Sequence, residues 1–504
     1  MNKTALVLMV ITLISKVTGL IREQFFAYYL GTGKLIDVYN TSTAIPFILF
    51  GIIIYGMTSG FIPVYTKIQN EDGTKRANQF TSNLINIMLV IVAVFVVLLL
   101  IFAPLLVSLF APGYEGEKRE MTIHFTRILS LGLFSTTTAA IFIGFLQIRG
   151  RFVIAEVHGI FMNFLHVTFL VLAFYFKNFY ILAYGFLITE FIKYFLFPIA
   201  LKQERYKHIF KIDLKDKYLK NLLNIAIPIL AMAALDLSTI ADQALASSIL
   251  RDGGVSAMKY GGLIIQLISG VVTISITTAI YPKLSLYSAK KDLGGLKRTL
   301  MEGVLFAFIL IIPAVIGVMI LSTPMIKLLF QRGNFNDTST MISSGILFFY
   351  GPTLIGNAIN ILFNRANYSL ENTNAPVIIA LVQVILNLIL NFVFSYFMGL
   401  NGLALATSVS AVVGGILSIT LFYRKYGNLR LSSFIKSTVK LFIASLLMGI
   451  STYFVYHSLS GVNELISMAI TIVVSMIVYL FIILFMRIPY VMKMVNVIYK
   501  KIRF

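Results

Sequence analysis

Apolar residues in this chain gather into long runs separated by short polar stretches, with little of the period-two alternation that marks a half-buried strand. Residues 84–110, 162–176, 303–322, 377–398 and 464–486 are the plainest cases. A run of about 20 apolar residues is a bilayer-crossing helix, because only a helix satisfies all of its backbone groups within one such segment. The pattern predicts fourteen spans, near 4–29, 37–65, 79–109, 122–147, 154–176, 180–201, 221–249, 255–281, 299–322, 338–362, 377–397, 402–423, 434–456 and 464–486. The expected fold is an all-α polytopic membrane protein of about 14 transmembrane helices.

The pattern also repeats. At an offset of 219, Ala27, Gly51, Thr58 and Pro63 fall on Ala246, Gly270, Thr277 and Pro282. At 220, APLLVSLFAPGY (103–114) falls on TPMIKLLFQRGN (323–334), pairing Pro104 with Pro324, Phe110 with Phe330 and Gly113 with Gly333. Spans 1–6 therefore recur as spans 7–12. Six is even, so both halves enter the membrane from the same side, as in transporters built on parallel repeats. The expected division is an N-terminal six-helix lobe (1–201), a linker (202–220), a C-terminal six-helix lobe (221–425), and a final segment (426–504) with two extra helices and a tail. Two similar bundles suit alternating access. No long loop between spans offers room for a soluble catalytic domain, so a transporter is expected and an enzyme is not.

Composition agrees. The 504 residues are 58% hydrophobic and 12% charged, with a mean hydropathy of +0.90; soluble domains carry about 25% charged residues. Cysteine is absent and the five histidines are scattered, which argues against a disulfide framework or a thiolate metal centre. The formal charge of +21 raises nucleic acid as a partner, but the cations follow topology. With the N-terminus inside, 28 of the 41 Lys and Arg fall in inside segments, 7 outside and 6 within spans. That bias is the positive-inside rule. It makes nucleic acid unnecessary as a partner and puts both termini in the cytoplasm of an inner-membrane protein. The first apolar run continues through Ser15-Lys16 with no small-residue cleavage site, so it is expected to stay as a span.

Ionisable groups inside spans are costly and usually mark function. Span 1 carries Ser15, Lys16, Gly19, Arg22 and Glu23 on one stripe. It reads as a wet cavity wall, or as an internal Arg22–Glu23 patch with Lys16 snorkelling. Asp37 opens span 2 as a helix cap or a partner for a span 1 cation. Lys259 in span 8 is a second cavity candidate, Arg127 reads as interfacial, and Glu190 and Lys193 are spaced to neutralise each other. Asp236 and Asp242 in span 7, Asn387 and Asn391 in span 11, and Thr407 and Ser408 in span 12 supply hard oxygens suited to a small cation. The competing reading is interhelical hydrogen bonding.

Six segments resemble the MurJ/MviN family of lipid II flippases, in the superfamily that holds the MATE drug exporters. They are SKVTGLIREQFFAYYLG (15–31), APLLVSLFAPGY (103–114), LQIRGRF (146–152), ADQALASSILRDGGVSAMKY (241–260), LLFQRGNF (328–335) and NRANYSLENTNAP (364–376). The resemblance implies fourteen helices in two lobes and outward movement of an undecaprenyl-pyrophosphate-linked peptidoglycan precursor. It implies substrate contacts from Lys16, where the family usually has arginine, from the Arg22–Glu23 pair, and from Asp37. Asp242, Asn387, Asn391 and Thr407 match a set that binds sodium in some members; sodium or proton coupling is the corresponding expectation, with no other cofactor. The chain departs from the family pattern in three places: no arginine at Phe50-Gly51, Leu263 at the span 8 arginine, and Gln243 for arginine in span 7. Lys259 lies one turn before Leu263 on the same face and is the candidate substitute.

The expected partners are a lipid-linked saccharide, membrane lipids and, as candidates, cell-wall synthesis proteins. Alternatives are a flippase for a capsule or exopolysaccharide repeat unit, a cation-coupled drug antiporter, and a non-transporting scaffold of a cell-wall complex. The antiporter calls for an acidic cavity, whereas spans 1 and 8 are basic.

Overall fold

The structure is a computed structural model that describes residues 3–232, 236–429, 431–488 and 490–492. The described elements are helices: α1 (Lys3–Leu30), α2 (Lys34–Glu71), α3 (Gly73–Phe110), α4 (Gly116–Ser130), α5 (Gly132–Ile148), α6 (Phe152–Tyr175), α7 (Tyr180–Gln203), α8 (Lys217–Met232), α9 (Asp236–Ile249), α10 (Gly254–Ala289), α11 (Leu293–Ile320), α12 (Ser322–Phe330), α13 (Asp337–Tyr350), α14 (Thr353–Ser369), α15 (Asn374–Met398), α16 (Leu400–Tyr426), α17 (Leu431–Ser458) and α18 (Glu464–Phe485).

Eleven helices among the described residues are long and apolar enough to cross a membrane, or twelve when a bent pair counts as one span. That pair, α13 and α14, fills the tenth expected span and bends by 42°. The break falls at Gly351-Pro352, where proline lacks the N–H that would continue the ladder. The fourth span is likewise split, into α4 and α5 at Leu131, and α12 continues the ninth beyond Leu321. The first and seventh spans lie outside that count; α1 occupies one, and α8 with α9 the other.

Two compact units make up the chain, Met1–Ser256 with Arg332–Asn336, and Ala257–Gln331 with Asp337–Phe504. In the first, α2 and α3 are 38 residues each, about 57 Å long at 1.5 Å per residue, and outrun a hydrocarbon layer of about 30 Å. Their shared core holds Phe50, Phe61, Phe80, Val92 and Leu99 with Phe145 of α5. A second core joins Phe26, Val38, Phe125, Leu170 and Phe186. In the other unit α14, α15 and α16 pack together, α17 packs on α11, and α18 packs on α17.

One close approach explains two of the sequence motifs. Gly31 (φ 60°) and Gly333 (φ 58°) both sit in the left-handed region. A Cβ on Gly31 would lie 2.3 Å from the Asn334 carbonyl oxygen, and one on Gly333 would lie 2.4 Å from that of Tyr28. Only glycine tolerates both the backbone conformation and the contact. The Asn334 N–H donates to Tyr28 O at 2.9 Å, so residues 332–336 are stitched to the end of α1.

Candidate functional site

The α1 stripe is partly closed by α6. Arg22 Nη1 donates to Asn163 Oδ1 at 3.1 Å, and Nη2 to Glu23 Oε1 at 2.6 Å. The Asn163 amide donates in turn to Thr18 Oγ1 (3.1 Å) and Ser15 O (3.4 Å). Ser15, Gly19 and Arg22 therefore lie against a neighbouring helix, with 30% of the Arg22 side chain still exposed; a single asparagine, 141 residues from Arg22, does this. Glu23 is buried at 3% exposure. Lys16 lies half-buried and makes no hydrogen bond or ion pair among the described residues.

Asp37 is fully buried. It is a cap, though not of its own helix, and its cation does not come from α1. Its Oδ1 accepts from Ser256 N (2.8 Å) and its Oδ2 from Gly253 N (2.7 Å), so the carboxylate caps the N-terminus of α10, where the helix dipole favours an anion. Lys118 Nζ, 6% exposed as a residue, donates to Asp37 Oδ2 and to Asp252 Oδ1, both at 3.0 Å, and also to Arg251 O. The ammonium sits 3.9 Å from the centre of the Tyr114 ring. Burial and the nearby Asp37 carboxylate push the Tyr114 hydroxyl up from its ordinary pKa. That hydroxyl bonds Thr41 Oγ1 at 3.0 Å, which also accepts from Gln243 at 3.0 Å.

In the second unit Asn391 Nδ2 donates to Asn387 Oδ1 (3.1 Å), Asn387 Nδ2 to Thr407 Oγ1 (3.3 Å), and Thr407 Oγ1 to Leu403 O (3.1 Å). The structure thus brings three of the four candidate cation ligands into one chain of bonds between α15 and α16. Their oxygens are neutral, and two of them accept from protein donors. No described group of three or more His, Cys, Asp or Glu residues is arranged to hold a metal. This part of the set therefore fits a hydrogen-bonded helix pair; the fourth candidate, Asp242, is a half-buried residue of the first unit. Ser408 bonds Thr353 at 2.7 Å, away from the others. Lys259 lies half-buried on α10. The side chains of Asp236 and Lys193 lie outside the described residues.

Sequence reasoning missed Lys118 and Asn163, which nothing local singles out. It also underrated Glu190, 4% exposed, whose carboxylate accepts from Thr136 at 2.6 Å. Arg127 donates to Leu100 O at 3.0 Å.

The profile of the family described as "Lipid II flippase MurJ" matches residues 26–474. The chain belongs to the MurJ family. It is 27% identical over 416 residues to a protein of Rhizobium meliloti named "Probable lipid II flippase MurJ", covering 81% of this chain and 77% of that one. A Bdellovibrio bacteriovorus protein of the same name is 26% identical, covering 93% and 91%. Among solved structures, a lipid II flippase MurJ in an inward closed conformation superposes with a TM-score of 0.81 at 25% identity, over 96% of this chain and 99% of that one. An inward-facing MATE transporter reaches 0.67 at 17% identity, over 85% and 99%, a likeness of fold. This chain is thus a multi-pass membrane protein on the MurJ fold.

Two of the departures noted in the sequence have a structural counterpart. Phe50, at a position near the missing arginine, is fully buried and packs on Phe95 with ring centres 4.9 Å apart. Gln243, another of the departures noted in the sequence, ties to Thr41. Apolar packing and a neutral hydrogen bond therefore occupy two of the three places where the sequence departs from the family pattern.

Proposed function

We propose that this chain carries lipid II from the inner to the outer leaflet of the bacterial inner membrane by alternating access. The observation that supports this best is the reach of the MurJ match through residues 26–474, which takes in the α9–α10 and α12 motifs and the end of the α1 motif as well as the shared scaffold. Both termini lie in the cytoplasm, as the distribution of Lys and Arg favours. Arg22, Lys16 and Lys259 supply positive charge for the pyrophosphate, and Glu23 holds the Arg22 fork in place between substrates. Candidate partners remain the cell-wall synthesis proteins. Depletion in the native cell tests the substrate: lipid II should build up in the inner leaflet. Build-up of a different lipid-linked oligosaccharide would favour the second reading, a flippase for another polyprenyl saccharide, which the missing arginines keep in play.

Lys259 is the substitute for the arginine that Leu263 replaces. Lys259→Ala should lose transport with normal membrane insertion, and Leu263→Arg added to it should recover part of the loss. Normal transport by Lys259→Ala removes this residue from the substrate site.

Coupling to sodium or protons rests on Asp242. Asp242→Asn is expected to remove the sodium or pH dependence of transport at normal expression; an unchanged dependence excludes that carboxylate from coupling.

A further inference from the structure

Residues 204–216 connect α7 to α8 as a non-helical strap held along one side. Asn86 of α3 donates to Ile209 O (2.8 Å) and Lys211 O (3.0 Å). Asn83, one turn earlier, donates to Asp213 O (2.8 Å) and accepts from Asp213 N (2.7 Å). Ser82 accepts from Ile209 N at 3.2 Å. His208 anchors the same stretch: Nε2 bonds Asn86 Oδ1 at 2.9 Å and Nδ1 bonds Tyr206 OH at 3.1 Å. Burial pulls the His208 pKa down, which keeps the ring neutral. Every backbone bond from the strap to α3 comes from residues 209, 211 and 213. The side chains between and after them, Phe210, Ile212 and Leu214, are 91%, 52% and 71% exposed.

With Ile209, itself 43% exposed, four large apolar side chains outside the spans, on a backbone that is firmly fixed, call for an occupant. The depth of the strap says which. The apolar residues that α3 leaves uncovered run from Val90 through Val94, Ile101 and Leu105 to Leu109. That stripe is about 28 Å long at 1.5 Å per residue, which matches a hydrocarbon layer of about 30 Å. Asn86 and Asn83 lie one to two turns beyond Val90, about 6–10 Å, and so fall within the headgroup layer. The strap therefore lies at the bilayer surface, at the end the charge distribution assigns to the cytoplasm.

Charge selects the lipid. The 202–220 segment carries seven Lys and Arg against three acids. Two of those acids are already matched, Glu204 by Arg151 (2.7 Å) and Asp216 by Arg76 (2.6 Å). Lys207, Lys211 and Lys215 make no ion pair among the described residues. Cations beside exposed apolar side chains at this depth suit anionic phospholipid, whose headgroups give the cytoplasmic leaflet its negative potential.

We infer that the strap is a membrane-surface anchor: Phe210, Ile212 and Leu214 enter the boundary between headgroups and acyl chains, and Lys207, Lys211 and Lys215 bind anionic headgroups. The linker is then fastened twice, to α3 by Asn83 and Asn86 and to the leaflet by its opposite side. This holds whatever saccharide the protein moves.

The chain has no tryptophan, so Phe210→Trp introduces a single fluorescent reporter at an exposed position. In nanodiscs built with a tryptophan-free scaffold protein, which leave both faces open, phosphatidylglycerol brominated high on its acyl chains should quench that fluorescence strongly, while iodide in the buffer quenches it weakly. Brominated phosphatidylcholine should quench less. Adding Lys207→Gln, Lys211→Gln and Lys215→Gln should abolish the difference between the two lipids. A reporter quenched by iodide and untouched by brominated lipid overturns the anchor and leaves the strap to a soluble protein partner. Equal quenching in the two lipids overturns the anionic selectivity.

Discussion

Asp37→Asn should unfold at a clearly lower temperature than the parent protein and move lipid II about tenfold more slowly, the equivalent of about 1.4 kcal/mol on the barrier. Asp37, fully buried, meets two backbone N–H groups and the Lys118 ammonium. Asparagine keeps one acceptor oxygen and turns an NH2 group toward a donor. It also strips Lys118 of a buried counter-ion. Breaking a buried pair from one side costs about 3–5 kcal/mol, and the lower end applies because Asp252 still reaches Lys118 at 3.0 Å. Lys118→Met is the matching half of the cycle. It leaves both backbone donors on the carboxylate and should cost less. The double variant should lose less than the two single losses combined, the signature of residues in direct contact. Thermal unfolding in detergent checks this; an Asp37→Asn protein as stable as the parent would remove the cap on α10 from the account.

Arg22 offers the second large effect. Arg22→Ala should end transport while the chain still reaches the membrane, because it leaves the Glu23 carboxylate buried without its 2.6 Å partner and removes a phosphate-binding fork. Arg22→Lys is the more informative variant. Lysine keeps the charge but cannot serve Asn163 and Glu23 together as a planar fork does. Transport by Arg22→Lys should fall about tenfold, chiefly through weaker apparent affinity for lipid II, the pattern of a lost ground-state contact. Full activity with lysine would mean that charge alone matters and that the α1–α6 geometry is incidental.

The spans were legible because lipid imposes the same demand on every helix, and a run of apolar residues records it. The breaks were less so. Gly351-Pro352 carried a readable signal, as did Ser322-Thr323-Pro324 just after Leu321; Leu131 had only Ser130 and Gly132 beside it. Arg22 with Glu23, and Asn387 with Asn391, could be read from adjacency or one-turn spacing, and both pairs do bond. The partner of Asp37 could not, because Lys118 lies 81 residues away and looked like one more loop cation in a topology count. Asn163 was hidden in the same way. Periodicity places a residue on a face of its own helix; which helix that face meets is decided by packing.

The most direct test of the central claim is transport by the purified chain. Sealed vesicles containing it and lipid II would be treated with an impermeant reagent that modifies the lipid II headgroup on one face only. The account predicts that nearly all of the lipid II becomes modified over time, that vesicles carrying Arg22→Ala stop at the fraction initially exposed, and that an unrelated phospholipid stays where it was. Modification that stops at the initial fraction with the parent protein, in vesicles where it is folded, would contradict lipid II transport by this chain.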